Sequence, residues 1–252
     1  MPCALMTTAK IRRAVPSVGS EPSTAATPIL DWMTPRVRVF AAEVDAVCDD
    51  LSFLRAAHRL IQVSIRPVYA MTEVQPVSET LRKERGSCSQ RLAVLEAVAR
   101  SRGIATRVQG LLIDGEFWYP RFPTMTRLVP HQILLAWPEF RIGSEWLNVS
   151  RLFSGMPEHP DHQKRQFTNS GGETLFDAIA RGAADWAGEV TDSCDCGDPD
   201  LARFVRRELG VFGSRDEVFA RYGQNLPALV RALVDPVFSR WSAQASVPLV
   251  SG

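Results

Sequence analysis

Residues 86–103, GSCSQRLAVLEAVARSRG, constrain the fold more than any other stretch of the chain. Leu92, Leu95, Val98 and Ala99 recur at intervals of three and four and Val94 widens the stripe, so the segment reads as a helix with an apolar face. Gly103 stands where a helix takes its C-cap. The helix therefore runs from Cys88 to about Arg102, roughly 21 Å at about 1.5 Å per residue, with a thiol in its first turn. The next run, IATRVQGLLI, is β-rich and ends on Asp114-Gly115, a hairpin-type turn signal. HQILLAW and EWLNVSRLF are two further strand-like runs, joined through Gly143-Ser144. A helix packed on an antiparallel sheet is the expected core, of the α+β class.

The flanks differ in character. Residues 1–30 are rich in Ser, Thr, Ala and Pro without periodicity, and disorder is expected there. Two helices are expected between them and the core, the second over 51–63 with Leu54, His58, Leu60 and Ile61 near one face. Beyond residue 153 the stretches GETLFDAIARGAADWAG, DPDLARFVRRELG, SRDEVFARYG and LPALVRALVDPVFSRWSAQ all read as helices. The expected division is a disordered segment 1–30, a core 31–153, and a helical C-terminal extension 154–252 packed on it.

A chain of 252 residues can bury such a core without staples. A net charge of +1 leaves no footprint for nucleic acid or a membrane surface, and neither is an expected partner. With no signal-like apolar region and no spanning segment, the protein is expected to be cytoplasmic. Its five cysteines are odd in number and scattered, so at least some thiols are free.

A thiol does acyl chemistry as the thiolate, which the unpaired N–H groups and dipole of a helix N-terminus favour. Cys88 is placed for that effect, and it needs an imidazole base within reach. Of the four histidines, His131 is the candidate, because the chain folds back toward Cys88. A strand starting near Ala105 at about 3.3 Å per residue covers the length of the helix in roughly six or seven residues. It regains the cysteine end near Leu111–Asp114, and an antiparallel strand opening at His131 begins at that end. A last strand returning from Gly143 would bring Asn148 and Ser150 there too. Asp114 is the first candidate to orient the imidazole, with Asn148 and Ser150 as alternatives; Asp114 can equally serve only its turn.

The order ETLRKERGSCSQRLAVLEAVARSRGIATRVQGLLIDG, a histidine 43 positions after the cysteine, and EWLNVS resembles the transglutaminase-like superfamily over roughly residues 50–153. The resemblance implies a papain-like Cys–His fold with Cys88 as nucleophile and His131 as base. Where the family usually has histidine-alanine-tryptophan this chain has HQILLAW, and Ser150 stands at the usual aspartate. The order Cys88, Asp114, His131 is also similar to that of bacterial Dieckmann cyclases, thiol enzymes that release tetramate or pyridone rings from carrier-bound chains. That resemblance would give Asp114 the role of the missing aspartate.

The expected function is cysteine-dependent acyl transfer or cyclisation through a Cys88 thioester in bacterial natural-product biosynthesis. The substrate would be a small-molecule or carrier-tethered polyketide or peptide chain, with an acyl or peptidyl carrier protein as the implied partner. A cysteine peptidase or protein transglutaminase is the alternative, and a non-catalytic interaction module the third. Trp118, Tyr119 and Phe122, in the loop that must cross the site, can form the mouth of an acyl pocket or simply pack that loop. No Rossmann or P-loop motif is present, and no organic cofactor is expected. Cys194-x-Cys196 without a partner pair is weak evidence for zinc, and no metal is expected. His58 reads as a core histidine, and His159 and His162 as loop residues.

Overall fold

The structure is a computed structural model and describes residues 23–124, 126–153, 167–184, 186, 201–225, 240 and 242–243. Helix α1 spans Pro35–Ala42, and α2 spans Asp50–Ser64, opened by the Asp49 carboxylate accepting the Ser52 N–H at 2.8 Å. The two-residue strand β1, Arg66–Pro67, pairs in parallel with β2, Arg85–Gly86, and between them lies α3, Val77–Lys83. Helix α4, Cys88–Ser101, follows β2 directly.

Both ends of α4 are held by its own sequence. The Ser87 hydroxyl accepts the Gln90 N–H and the Gln90 side chain accepts the Ser87 N–H, a capping box. At the other end Gly103 takes φ +89°, with Gly103 N–H donating to Arg100 O and Ile104 N–H to Ala99 O, both at 3.0 Å. That is a Schellman cap, and a left-handed residue there favours glycine. The apolar stripe was expected to mark one buried face. Instead every residue from Gln90 to Arg100 is buried, because α1, α2 and α3 pack on α4 as well as the sheet.

The sheet contains β3 (Thr106–Asp114), β4 (Gln132–Ile142), β5 (Glu145–Asn148) and β6 (Val205–Phe212), in the order β5-β4-β3-β6 and antiparallel throughout. Short 3-10 turns follow β3 (Gly115–Trp118) and β5 (Val149–Arg151). Helix α5 is Leu175–Ile179 and α6 is Arg215–Tyr222, within two of the stretches read as helical. The mixed helix and sheet class, with a helix on an antiparallel sheet, is as expected.

Three expectations change. DPDLARFVRRELG does not form a helix in its described part: a 3-10 turn, Leu201–Phe204, leads into β6, which pairs with the free edge of β3. The C-terminal half thus supplies a strand to the core sheet as well as helices. Of the segment expected to be disordered, residues 23–30 are described and ordered on the core, with Ile29 and Leu30 buried and Ser23 bridged to Thr106. Asp114-Gly115 opens a 3-10 turn and not a two-residue hairpin. The stretch LPALVRALVDPVFSRW lies almost wholly outside the described residues, as do His159, His162, Cys194 and Cys196. Among the described residues no helix is long and apolar enough to cross a membrane.

Candidate active site

Cys88 is the first residue of α4, half-buried and free. The cap hydroxyl occupies the Gln90 N–H, while the N–H groups of Cys88 and Ser89 have no acceptor among the described residues. Open N–H groups beside a thiol are what an acyl oxyanion requires.

The thiol lines a cavity of about 230 Å³ whose walls are mostly apolar. Ile133, Leu134 and Leu135 of β4 form one wall, and Phe117, Trp118 and Phe122 of the loop after β3 form another. Of the three loop aromatics singled out in the sequence, Trp118 and Phe122 line this cavity and Tyr119 does not. Tyr69, Asn169, Thr174 and Asn225 are polar residues of the lining. Arg121 ties this loop down: it donates to Asn169 Oδ1 at 3.2 Å, to Ala243 O at 3.1 Å, and to the carbonyls of Gly171 and Glu173.

His131 immediately precedes β4, at the same pole of the sheet as Cys88. Its carbonyl accepts the Gly115 N–H at 2.9 Å, but its side chain is exposed and does not line the cavity, although Val129, Pro130 and Ile133 do. The strand residue that reaches the cavity deepest into β4 is Leu135, of the triplet Leu135-Ala136-Trp137. Asp114 is buried and otherwise engaged. One oxygen accepts the Glu116 N–H at 2.9 Å, capping the 3-10 turn, and the other accepts Arg206 Nε at 2.6 Å across the β3–β6 edge. It makes no hydrogen bond to His131. The structure thus brings Cys88, Trp118 and Phe122 together and leaves His131 and Asp114 outside the cavity.

Residues 40–150 match the family model of the transglutaminase-like superfamily. This segment is a transglutaminase-like core. No curated protein matches the chain, and no solved structure does. Within this transglutaminase-like core, cysteine-based acyl transfer or protease-like chemistry is the activity the superfamily suggests.

The alternatives for an orienting group also fall elsewhere. Strand β5 is short and returns from the turn only as far as Asn148, which pairs with Glu139 and not with the start of β4. Asn148 Oδ1 accepts Trp137 Nε1 at 2.7 Å, and Ser150 Oγ donates to Ala184 O at 2.5 Å. Both sit several residues of strand, roughly 25 Å at about 3.3 Å per residue, from His131. His58 is a core residue as expected. It stacks on Phe176 with ring centroids 4.1 Å apart and places Nε2 2.9 Å from Phe176 O, while Nδ1 is buried without a partner among the described residues.

Buried charge supports the first turn of α4 from behind. Arg215 of α6 donates to Ser89 O at 3.0 Å, to Ser89 Oγ at 3.2 Å and to Glu96 Oε1 from Nε at 3.0 Å, and both charged side chains are fully buried. Burial pushes the Glu96 carboxyl up, opposed by Arg215. One turn beyond Cys88, Arg91 donates to Thr174 Oγ1 and Asp177 Oδ1, each at 3.2 Å, and lies over the Phe176 ring. Thr174 and Leu175, on the cavity wall, are thereby fixed to the helix that carries the thiol.

Sequence reasoning missed Tyr69, Phe117 and the β4 wall as parts of the site. Tyr69 follows a two-residue strand containing a proline, which leaves no periodicity to read. HQILLAW did carry a signal, since an unbroken apolar run marks a strand buried on both faces. Among the described residues no group of three or more His, Cys, Asp or Glu could hold a metal ion.

Proposed function

We propose that this protein is a cysteine acyltransferase that receives an apolar acyl group on Cys88 from a thioester and passes it to a second nucleophile. The observation that carries this is the thiol at the open first turn of α4, on the wall of an apolar cavity. Attack on the acyl carbon forms the Cys88 thioester and releases the donor thiol, and a second attack frees the product. Where the acceptor is a carbanion of the same chain, ring closure releases it, the Dieckmann-type outcome. His131 is the proposed base. Its backbone lies between the lining residues Pro130 and Ile133, and catalytic hydrogen bonds commonly tighten only once substrate is bound. The mostly apolar walls favour a small or carrier-tethered acyl chain over an extended peptide.

The test is intact-mass spectrometry with peptide mapping after exposure to simple acyl thioesters, beside Cys88→Ala. An adduct on Cys88 that the variant lacks supports acyl transfer. No adduct from thioesters but turnover of peptide amides would move the assignment to a peptidase or transglutaminase. Inertness to both would leave an interaction module. Mapping is needed because Cys48 is also free and exposed.

A further inference from the structure

We propose that the cavity takes a medium-chain aliphatic acyl group, about eight to ten carbons long, and that Phe117 is the specificity-determining residue against which the chain ends. This rests on the acyl-transfer function proposed above and names its substrate class. Size is the first observation. A dry apolar cavity of about 150 Å³ holds one benzene ring. On that scale the cavity beside Cys88, about 230 Å³, holds about nine carbons. Sites for drug-sized ligands run to ~300–1,000 Å³, so this one suits a short acyl group and not a long polyketide or an extended peptide.

Burial gives the direction. Cys88, Trp118 and Phe122 are half-buried, whereas Phe117, Leu135 and Leu175 of the same lining are buried. An acyl group that starts at the thiol and leaves water therefore moves toward the second set. Phe117 is the member of that set backed by other rings. Its centroid lies 4.5 Å from Trp118, 5.1 Å from Trp186 and 5.5 Å from Phe204, each edge-on, and 6.0 Å from Phe167. The turn that carries it is fixed as well, because Asp114 caps it through the Glu116 N–H and Asn169 Nδ2 donates to Phe117 O at 2.8 Å. A ring held on both counts does not swing aside for a longer chain.

The polar side chains on the buried side are turned onto the protein. Asn169 bonds Phe117 O and Arg121, and Thr174 Oγ1 donates to Asp177 Oδ2 at 2.7 Å. That side therefore meets the ligand with hydrocarbon, which suits a terminal methyl group and penalises a terminal carboxylate or hydroxyl. In the reaction the acyl carbon bonds to the Cys88 sulfur, its bond to the donor sulfur breaks, and the Cys88 proton leaves on the donor thiol. The aliphatic end makes no bond. It contributes binding, which grows with each methylene removed from water until the chain reaches Phe117.

The experiment measures Cys88 acylation rates for the saturated acyl thioesters of N-acetylcysteamine from acetyl to tetradecanoyl, in wild type, Phe117→Ala and Leu135→Phe. Near-UV circular dichroism checks the fold. Wild type is expected to be fastest from octanoyl to decanoyl and at least about tenfold slower at both ends of the series. Phe117→Ala opens the space of one ring, and its optimum should move to dodecanoyl or longer. Leu135→Phe fills part of the cavity, and its optimum should move to hexanoyl or shorter, which keeps the test decisive if Phe117→Ala does not fold. An optimum that stays in place in the folded variants, or a wild-type rate that is flat across the series, overturns the inference alone. An equal fall at every length in folded Phe117→Ala also overturns it, since Phe117 would then only support the scaffold. Wild type that iodoacetamide alkylates at Cys88 but that no member of the series acylates overturns the acyl-transfer function itself, and the chain length with it.

Discussion

Asp114 gives its carboxylate to Arg206 and to the Glu116 N–H, and His131, at the start of the neighbouring strand, receives none of it. An aspartate that orients a catalytic imidazole contributes orders of magnitude to rate. One that caps a turn and pairs with an exposed arginine contributes little to stability, about 1 kcal/mol or less from the ion pair. Asp114→Asn keeps an oxygen for the Glu116 N–H. It is therefore expected to leave Cys88 acylation within a few-fold of wild type and to lower the unfolding free energy only slightly. A loss of a thousandfold or more in acylation, with the fold intact, would show that Asp114 leaves Arg206 for His131 during the reaction.

Gly115 is a close approach between two chain segments. A Cβ there would lie 1.9 Å from the Pro130 carbonyl oxygen, while the Gly115 N–H donates to His131 O. Gly115→Ala must push the 129–131 segment outward, and Val129 and Pro130 line the cavity. Overpacking of this kind costs about 1–3 kcal/mol. Urea unfolding should show that loss, and acylation of Cys88 should fall with it. Wild-type stability in the variant would mean the segment yields freely and does not define the wall.

How much of this was legible in the sequence depends on how local the signal is. Helix α4 was readable because its apolar spacing and Gly103 lie within one segment, as do the apolar runs of β3 and β4. Strand β6 was not, because Val205, Leu209 and Phe212 recur at four and three, a helical spacing. The strand reaches that spacing through register shifts against β3 and a Gly210 at φ +97°. The pole of the sheet was right for Cys88, Asp114 and His131, but β5 stops at Asn148, and no residue pattern announces where a hairpin arm ends. Tyr69 depends on a two-residue parallel pairing, a contact between segments that propensity does not encode.

The Arg215–Glu96 pair makes a prediction about the scaffold behind the thiol. Removing one partner of a fully buried pair leaves an uncompensated charge, at a cost of about 3–5 kcal/mol, whereas replacing both by apolar residues is often neutral. Arg215→Met should therefore be strongly destabilising in urea, and Arg215→Met with Glu96→Leu should recover most of the loss. Slower Cys88 alkylation is also expected in both variants, because Arg215 holds Ser89. Additive losses in the double variant would show that the two side chains do not act as a pair.

His58 should make the protein lose stability in mild acid. Burial holds its ring down to about 4 from an ordinary 6.5, outweighing the hydrogen bond to Phe176 O. Above pH 6.5 the ring is neutral in both folded and unfolded chains and adds no pH dependence. Between 6.5 and 4 the unfolded chain binds a proton that the folded chain refuses, so stability falls as the pH drops, and below 4 this contribution levels off. The full difference is about 3 kcal/mol at 1.36 kcal/mol per pH unit. His58→Gln cannot titrate, so its stability should be measured by urea unfolding at several pH values beside wild type. The gap between the two should be constant above pH 6.5 and should shift toward the variant as the pH falls to 4. Parallel curves across that range would mean that the folded chain protonates His58 as readily as the unfolded one, and that its buried Nδ1 has access to water.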